Sequence, residues 1–100
     1  MIWSQFFPFT QIGTDSPSVI AAVLSQLFGR YRQGAPVRTG RFRAGLSYET
    51  VFGVGGVTVN VFSAVGYGAY VEEQHWPVSA IINIGAIRQL VGSIAAAVAA

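Results

Sequence analysis

The chain contains no cysteine and no lysine, one histidine, one methionine and four acidic residues among its 100 positions. Without cysteine there can be no disulfide framework and no thiolate metal site, and nothing points to a particular redox compartment. The single histidine, His75, cannot build a two-histidine metal centre. Glu72 and Glu73 are neighbours, and neighbours on a helical turn point in different directions, so they are a poor general acid/base pair. No serine sits in a nucleophile-elbow context. The sequence therefore predicts no enzymatic activity, no cofactor and no metal. The opening MIWSQFFPFTQIG has neither a basic n-region nor a long aliphatic run, so it does not follow the pattern of a secretory signal.

Charge is scarce as well. Only 10% of residues are charged and the net charge is +2, yet five of the six arginines (Arg30, Arg32, Arg38, Arg41 and Arg43) fall between positions 30 and 43. The positive charge is local, and the weak overall field is unlike the basic stripe of a protein that holds duplex DNA by its phosphates. A basic nucleic-acid module is thus a possible reading but not a favoured one.

What the chain has in excess is apolar surface. Hydrophobic residues make up 52% of it and the mean hydropathy is +0.50. A domain of this length leaves about a third of its potential surface wet, so such a composition suits a membrane protein or a subunit whose neighbours complete its burial. The segment IINIGAIRQLVGSIAAAVAA, residues 81–100, is long enough to span a bilayer. On a helix, however, Ile84, Ile87, Leu90, Val91, Ile94 and Val98 gather on one face and Gln89, Gly92, Ser93 and Ala96 on the other. Arg88 would cost about 2.5–3.5 kcal/mol near the bilayer centre. A packing helix is favoured over a span.

Residues 1–14 carry Trp3, Phe6, Phe7 and Phe9 around Pro8 without a helical period, which predicts an extended aromatic arm or edge strand. Those rings either close the domain's own core or dock on a neighbouring subunit. Residues 15–100 then form one domain. Asp15-Ser16-Pro17 is an N-cap followed by a first-turn proline, and Val19, Ile20, Val23, Leu24, Leu27, Phe28 and Tyr31 recur on one helical face until Gly34 and Pro36 end it near residue 33. Arg30 and Arg32 in the last turn complement the helix dipole. Thr39 can cap a short turn over Gly40–Ala44, with Phe42 inward and Gly45 closing it in the left-handed conformation. Alternation over 46–52, the turn Gly53–Gly56 and Val57, Val59 and Val61 predict a hairpin. Tyr67, Tyr70 and Val71 fit one face of a further turn, with Glu72 and Glu73 beside it. The expected fold is α+β: a small antiparallel sheet with a hairpin, packed against a long helix in the N-terminal half and a C-terminal helix.

Two segments, Ala35-Pro36-Val37-Arg38-Thr39-Gly40-Arg41-Phe42-Arg43 and Tyr67-Gly68-Ala69-Tyr70-Val71-Glu72, stand on either side of the hairpin. In order and spacing they resemble the neck and tail-completion (head-to-tail joining) family of long-tailed bacteriophages. That family reads Ala-Pro-Val-x-Thr-Gly-x-Leu-x-x-Ser before its hairpin and Tyr-Ala-x-Tyr-Val-Glu-x-Gly after it. The resemblance covers roughly residues 17–95. It departs after Glu72, where Glu73-Gln74-His75 replaces the usual glycine, and the aromatic arm matches no family motif.

The resemblance implies a small α+β virion protein without catalysis, assembled in the host cytoplasm. It would form a homo-oligomeric ring, commonly a hexamer, at the head–tail junction, as a tail terminator or head–tail adaptor. Its partners would be a portal-side adaptor or stopper and the tail tube protein, with DNA passing through the lumen without sequence-specific contact. A small membrane-associated phage protein using the C-terminal helix is the alternative. In either case Pro36, Thr39, Gly40 and Gly45 shape the turn that holds Phe42 and presents Arg38, Arg41 and Arg43. These arginines are then free to pair with Glu72 or Glu73 of the same or a neighbouring subunit, to face DNA, or to stay solvated.

Overall fold

The structure, a computed structural model, describes residues 1–35, 40–74 and 76–99. The elements in order are β1 (Trp3–Pro8), α1 (Phe9–Ile12), α2 (Pro17–Gly34), α3 (Arg41–Ala44), β2 (Leu46–Phe52), β3 (Gly56–Ser63), α4 (Gly68–Gln74), a 3-10 turn (Val78–Ala80) and α5 (Ile84–Ala99). The three strands form one antiparallel sheet in the order β1-β3-β2. The fold is α+β, with the long helix and the C-terminal helix in place.

Period-two patterning decides the sheet. Val57, Val59 and Val61 of β3 are fully buried, and the register sets them opposite Phe7, Gln5 and Trp3 on one side and Phe52, Thr50 and Tyr48 on the other. Against this inner face α2 lays Ile20, Val23, Leu24, Leu27, Phe28 and Tyr31, all buried at three- and four-residue spacing. Burial of each large aliphatic or aromatic side chain contributes about 1.5–3 kcal/mol. The Ser16 hydroxyl caps α2 by accepting from the Val19 N–H at 3.4 Å, with Pro17 at the first helical position. Helix α5 buries Ile87 and rests Ile84, Leu90, Val91 and Ile94 against the core, while Arg88, Gln89, Gly92 and Ser93 are exposed. Among the described residues no helix is long and apolar enough to cross a membrane.

Two expectations need correction. Of the two readings of residues 1–14, the edge strand holds and the arm outside a 15–100 domain does not, because β1 pairs with β3 from Trp3 to Pro8, and Phe7 and Ile12 are core residues. Strand alternation divides the aromatics: Phe7 points inward at 2% exposure, whereas Phe6 points to the open sheet face at 51%. Trp3 and Phe9 are partly buried against the core. The second correction concerns the glycines of the short turn. Gly45 is not left-handed (φ −90°), and Gly40, the residue before α3, is (φ 74°). The chain reverses on entering α3, and Gly45 instead lets the backbone approach Ala64, whose N–H donates to the Gly45 carbonyl at 3.0 Å.

Candidate functional site

The arginine-rich segment starts where α2 ends, and the last carbonyls of a helix need partners from outside it. Side chains supply them. Arg43, on α3, donates from Nη2 to the Gln33 carbonyl at 2.7 Å and to the Ala35 carbonyl at 3.2 Å. Arg32 Nε returns a bond to the Arg43 carbonyl at 3.2 Å. Trp76 Nε1 donates to the Tyr31 carbonyl at 2.8 Å, and the Tyr31 hydroxyl donates to the Trp76 carbonyl at 2.9 Å. The two rings stack with centroids 5.9 Å apart. Gly34 leaves room for the indole, since a Cβ there would lie 2.6 Å from Trp76 Cζ2. Burial, with Glu72 as the smaller cause, pushes the Tyr31 phenol well above its ordinary range.

Arg43 is therefore not presented outward for a carboxylate; it closes the end of α2, as a guanidinium at a helix C-terminus is suited to do. Its Nε is buried without a partner among the described residues. Glu72 is committed too, its Oε1 accepting from the Val78 N–H at 3.2 Å. Phe42 is buried as expected. Arg41 and Glu73 are exposed. Pro36, Arg38, Thr39 and His75 lie outside the described residues.

The remaining site residues converge on one end of the sheet. Helix α3 leads into β2 through Gly45, and β3 leaves beside it through Ala64. Gly68, at the start of α4, packs on Ser63 and Ile2 so closely that it has no room for a side chain. Residues 40–43 and 67–72 thus flank this end, where Tyr67 is 43% and Tyr70 60% exposed and Arg41 and Glu73 reach solvent. At the opposite end, the hairpin exposes Val51, Phe52 and Val54.

Comparison with family models, curated proteins and solved structures gives no match. The geometry therefore stands alone. Among the described residues no three histidine or carboxylate side chains are grouped to hold a metal ion. The total accessible surface is 5728 Å², close to the roughly 5,500 Å² that size scaling gives for a folded monomer of this mass. The apolar excess is thus not loose packing; it is a few large side chains left outside, at the two ends of the sheet and at Phe6. Sequence reasoning missed the Tyr31–Trp76 clasp, for which the only local signal was a tyrosine on the buried face of α2.

Proposed function

We propose that this chain is a structural virion protein of the phage neck, a tail terminator or head–tail adaptor that acts by forming a ring. One observation carries the reading. The described residues of the two segments that resemble the neck family, separated in sequence by the hairpin, lie at the same end of the sheet, where Tyr67, Tyr70 and Arg41 are each exposed. Tyrosine and arginine are the side chains that dominate interface energetics. The next copy supplies its open sheet face around Phe6, because a heterologous contact needs two different patches and closes into a ring when the rotation allows. The α+β architecture is the one the resemblance implies. The ring's outer layers meet a portal-side protein and the tail tube, and its lumen passes DNA.

Electron microscopy with light scattering tests this directly. Rings whose mass is a multiple of 10.6 kDa are expected, and Y67A/Y70A should dissociate them while keeping the helical circular dichroism of the fold. A folded chain that forms no ring at high concentration, alone or in particles, overturns the reading.

A further inference from the structure

The sheet has two free edges, and only one is protected. Gly53 N–H donates to the Gly56 carbonyl at 2.8 Å, and Ala64 N–H to the Gly45 carbonyl at 3.0 Å. Hydrogen-bonded pairs alternate along an antiparallel ladder, so the odd residues of β2 bond to β3. The N–H and C=O groups of Leu46, Tyr48, Thr50 and Phe52 consequently point to the free side. The matching edge of β1 is interrupted by Pro8, which has no N–H to offer. Strand β2 has none of the usual blocks: no proline, no lysine, no bulge in its register, and one charge, Glu49. Residues 51 and 52 at its end are exposed apolar side chains, and Val54 follows in the turn.

We infer that β2 pairs with β2 of a second copy, antiparallel and two-fold, with Thr50 on the dyad. Charge and apolar matching select this register. Even residues must face even residues, which restricts pairing to steps of two. Full overlap would put Glu49 directly opposite its own copy, a non-hydrogen-bonded pair about 4.5 Å apart at Cα, where like charges destabilise. A shift toward the hairpin places Thr50 against Thr50, Phe52 against Tyr48, Val54 against Leu46, and Glu49 against Val51. The exposed ring of Phe52 then meets the partly buried Tyr48, and Val54, wholly exposed in the single chain, is brought against the partner strand at Leu46. The opposite shift leaves both uncovered. The resulting sheet has six strands, and the interface is small, so the pair forms at high concentration. The pairing uses the free edge of β2 and does not depend on the ring reading, which uses Tyr67, Tyr70 and the open sheet face around Phe6.

The cysteine-free chain makes the test clean. T50C should form an interchain disulfide on mild oxidation, because dyad Cα atoms lie about 5.5 Å apart, within disulfide reach. V51C should not, because its copies sit diagonally at about 7–8 Å. T50P removes one free-edge N–H and no bond to β3, so it should stay folded and weaken the dimer at least tenfold by sedimentation. A natural chain that stays monomeric at about 1 mM, far above the range of specific pairs, overturns the pairing, as does a T50C that fails to cross-link. A higher multiple whose mass is unchanged in folded T50P overturns the pairing and leaves the ring standing, whereas one whose mass falls by half supports both. A dimer abolished by T50P, with no ring by microscopy, supports the pairing and removes the ring.

Discussion

Replacing Arg43 with alanine tests whether the arginine cluster is scaffold. The substitution deletes two charge-assisted hydrogen bonds, to the Gln33 and Ala35 carbonyls, each worth about 1.5–3 kcal/mol when the partner stays dry. Gln33 is exposed, so water replaces much of the first; Ala35 is buried, and its carbonyl loses more. Removing the buried, unpartnered Nε returns about 1 kcal/mol of desolvation. The net loss is about 2 kcal/mol, or roughly 10 °C in Tm for a domain of this size. Thermal melts followed by circular dichroism should show it, with R30A as the control: Arg30 is exposed on the same helix and should change stability by no more than about 0.5 kcal/mol. R43K keeps the charge and has donors enough for both carbonyls, but its strongly hydrated ammonium on a flexible stem is harder to hold there, so it should recover about half. If R43A melts within 2 °C of R30A (about 0.5 kcal/mol), α2 does not need this closure and the reasoning fails.

The Tyr31–Trp76 clasp gives a pH prediction. Because folding raises the Tyr31 pKa, the folded state holds its proton where the unfolded chain releases it. That contribution is complete below the ordinary tyrosine value of about 10 and is lost as pH rises above it. Urea midpoints should therefore fall above pH 10 in the natural chain, and less steeply in Y31F, which should also lose about 1 kcal/mol at neutral pH; equal slopes would refute the assignment. Two glycines of α2 should respond to alanine with opposite signs. At Gly29 nothing lies within 4 Å, so G29A should stabilise by about 0.5–1 kcal/mol through helix propensity. At Gly34 the new Cβ collides with the Trp76 ring, so G34A should destabilise by about 1–3 kcal/mol, with a red-shifted, more exposed tryptophan emission as the ring is displaced.

Amphipathic periods made most of the fold legible. The α2 face from Val19 to Tyr31, the Val57-Val59-Val61 alternation and the α5 stripe from Ile84 to Ile94 are each written in a single local window, and each packs as its period dictates. The site was less legible because its bonds join distant windows. Nothing near Arg43 marks it as the partner of the Gln33 carbonyl, ten residues earlier, and nothing near Trp76 names Tyr31, 45 residues away. The sequence left Arg43 open to pairing with Glu72 or Glu73, to facing DNA or to staying solvated, whereas Arg43 and Glu72 both satisfy main-chain groups that would otherwise be left without partners. The choice between Gly40 and Gly45 likewise depended on which one the chain must reverse through, a property of how α3 enters the sheet.

With Arg32 and Arg43 bonded to the main chain, little charge is left to recruit a partner. Among the described residues Arg30, Arg41 and Arg88 are exposed, as are Asp15, Glu49 and Glu73, so the exposed charge of the two signs is close to balance. Association through Tyr67 and Tyr70, or through the β2 backbone, should then respond weakly to ionic strength, since screening acts on charge pairs and not on apolar or main-chain contacts. Raising salt tenfold, from 50 to 500 mM, should alter self-association by no more than about threefold in sedimentation, whereas a surface making even three phosphate contacts would lose binding by roughly 500-fold. A steep loss of self-association with salt would mean that guanidinium–carboxylate pairs between copies hold the assembly, and the aromatic end and free strand edge would no longer explain it.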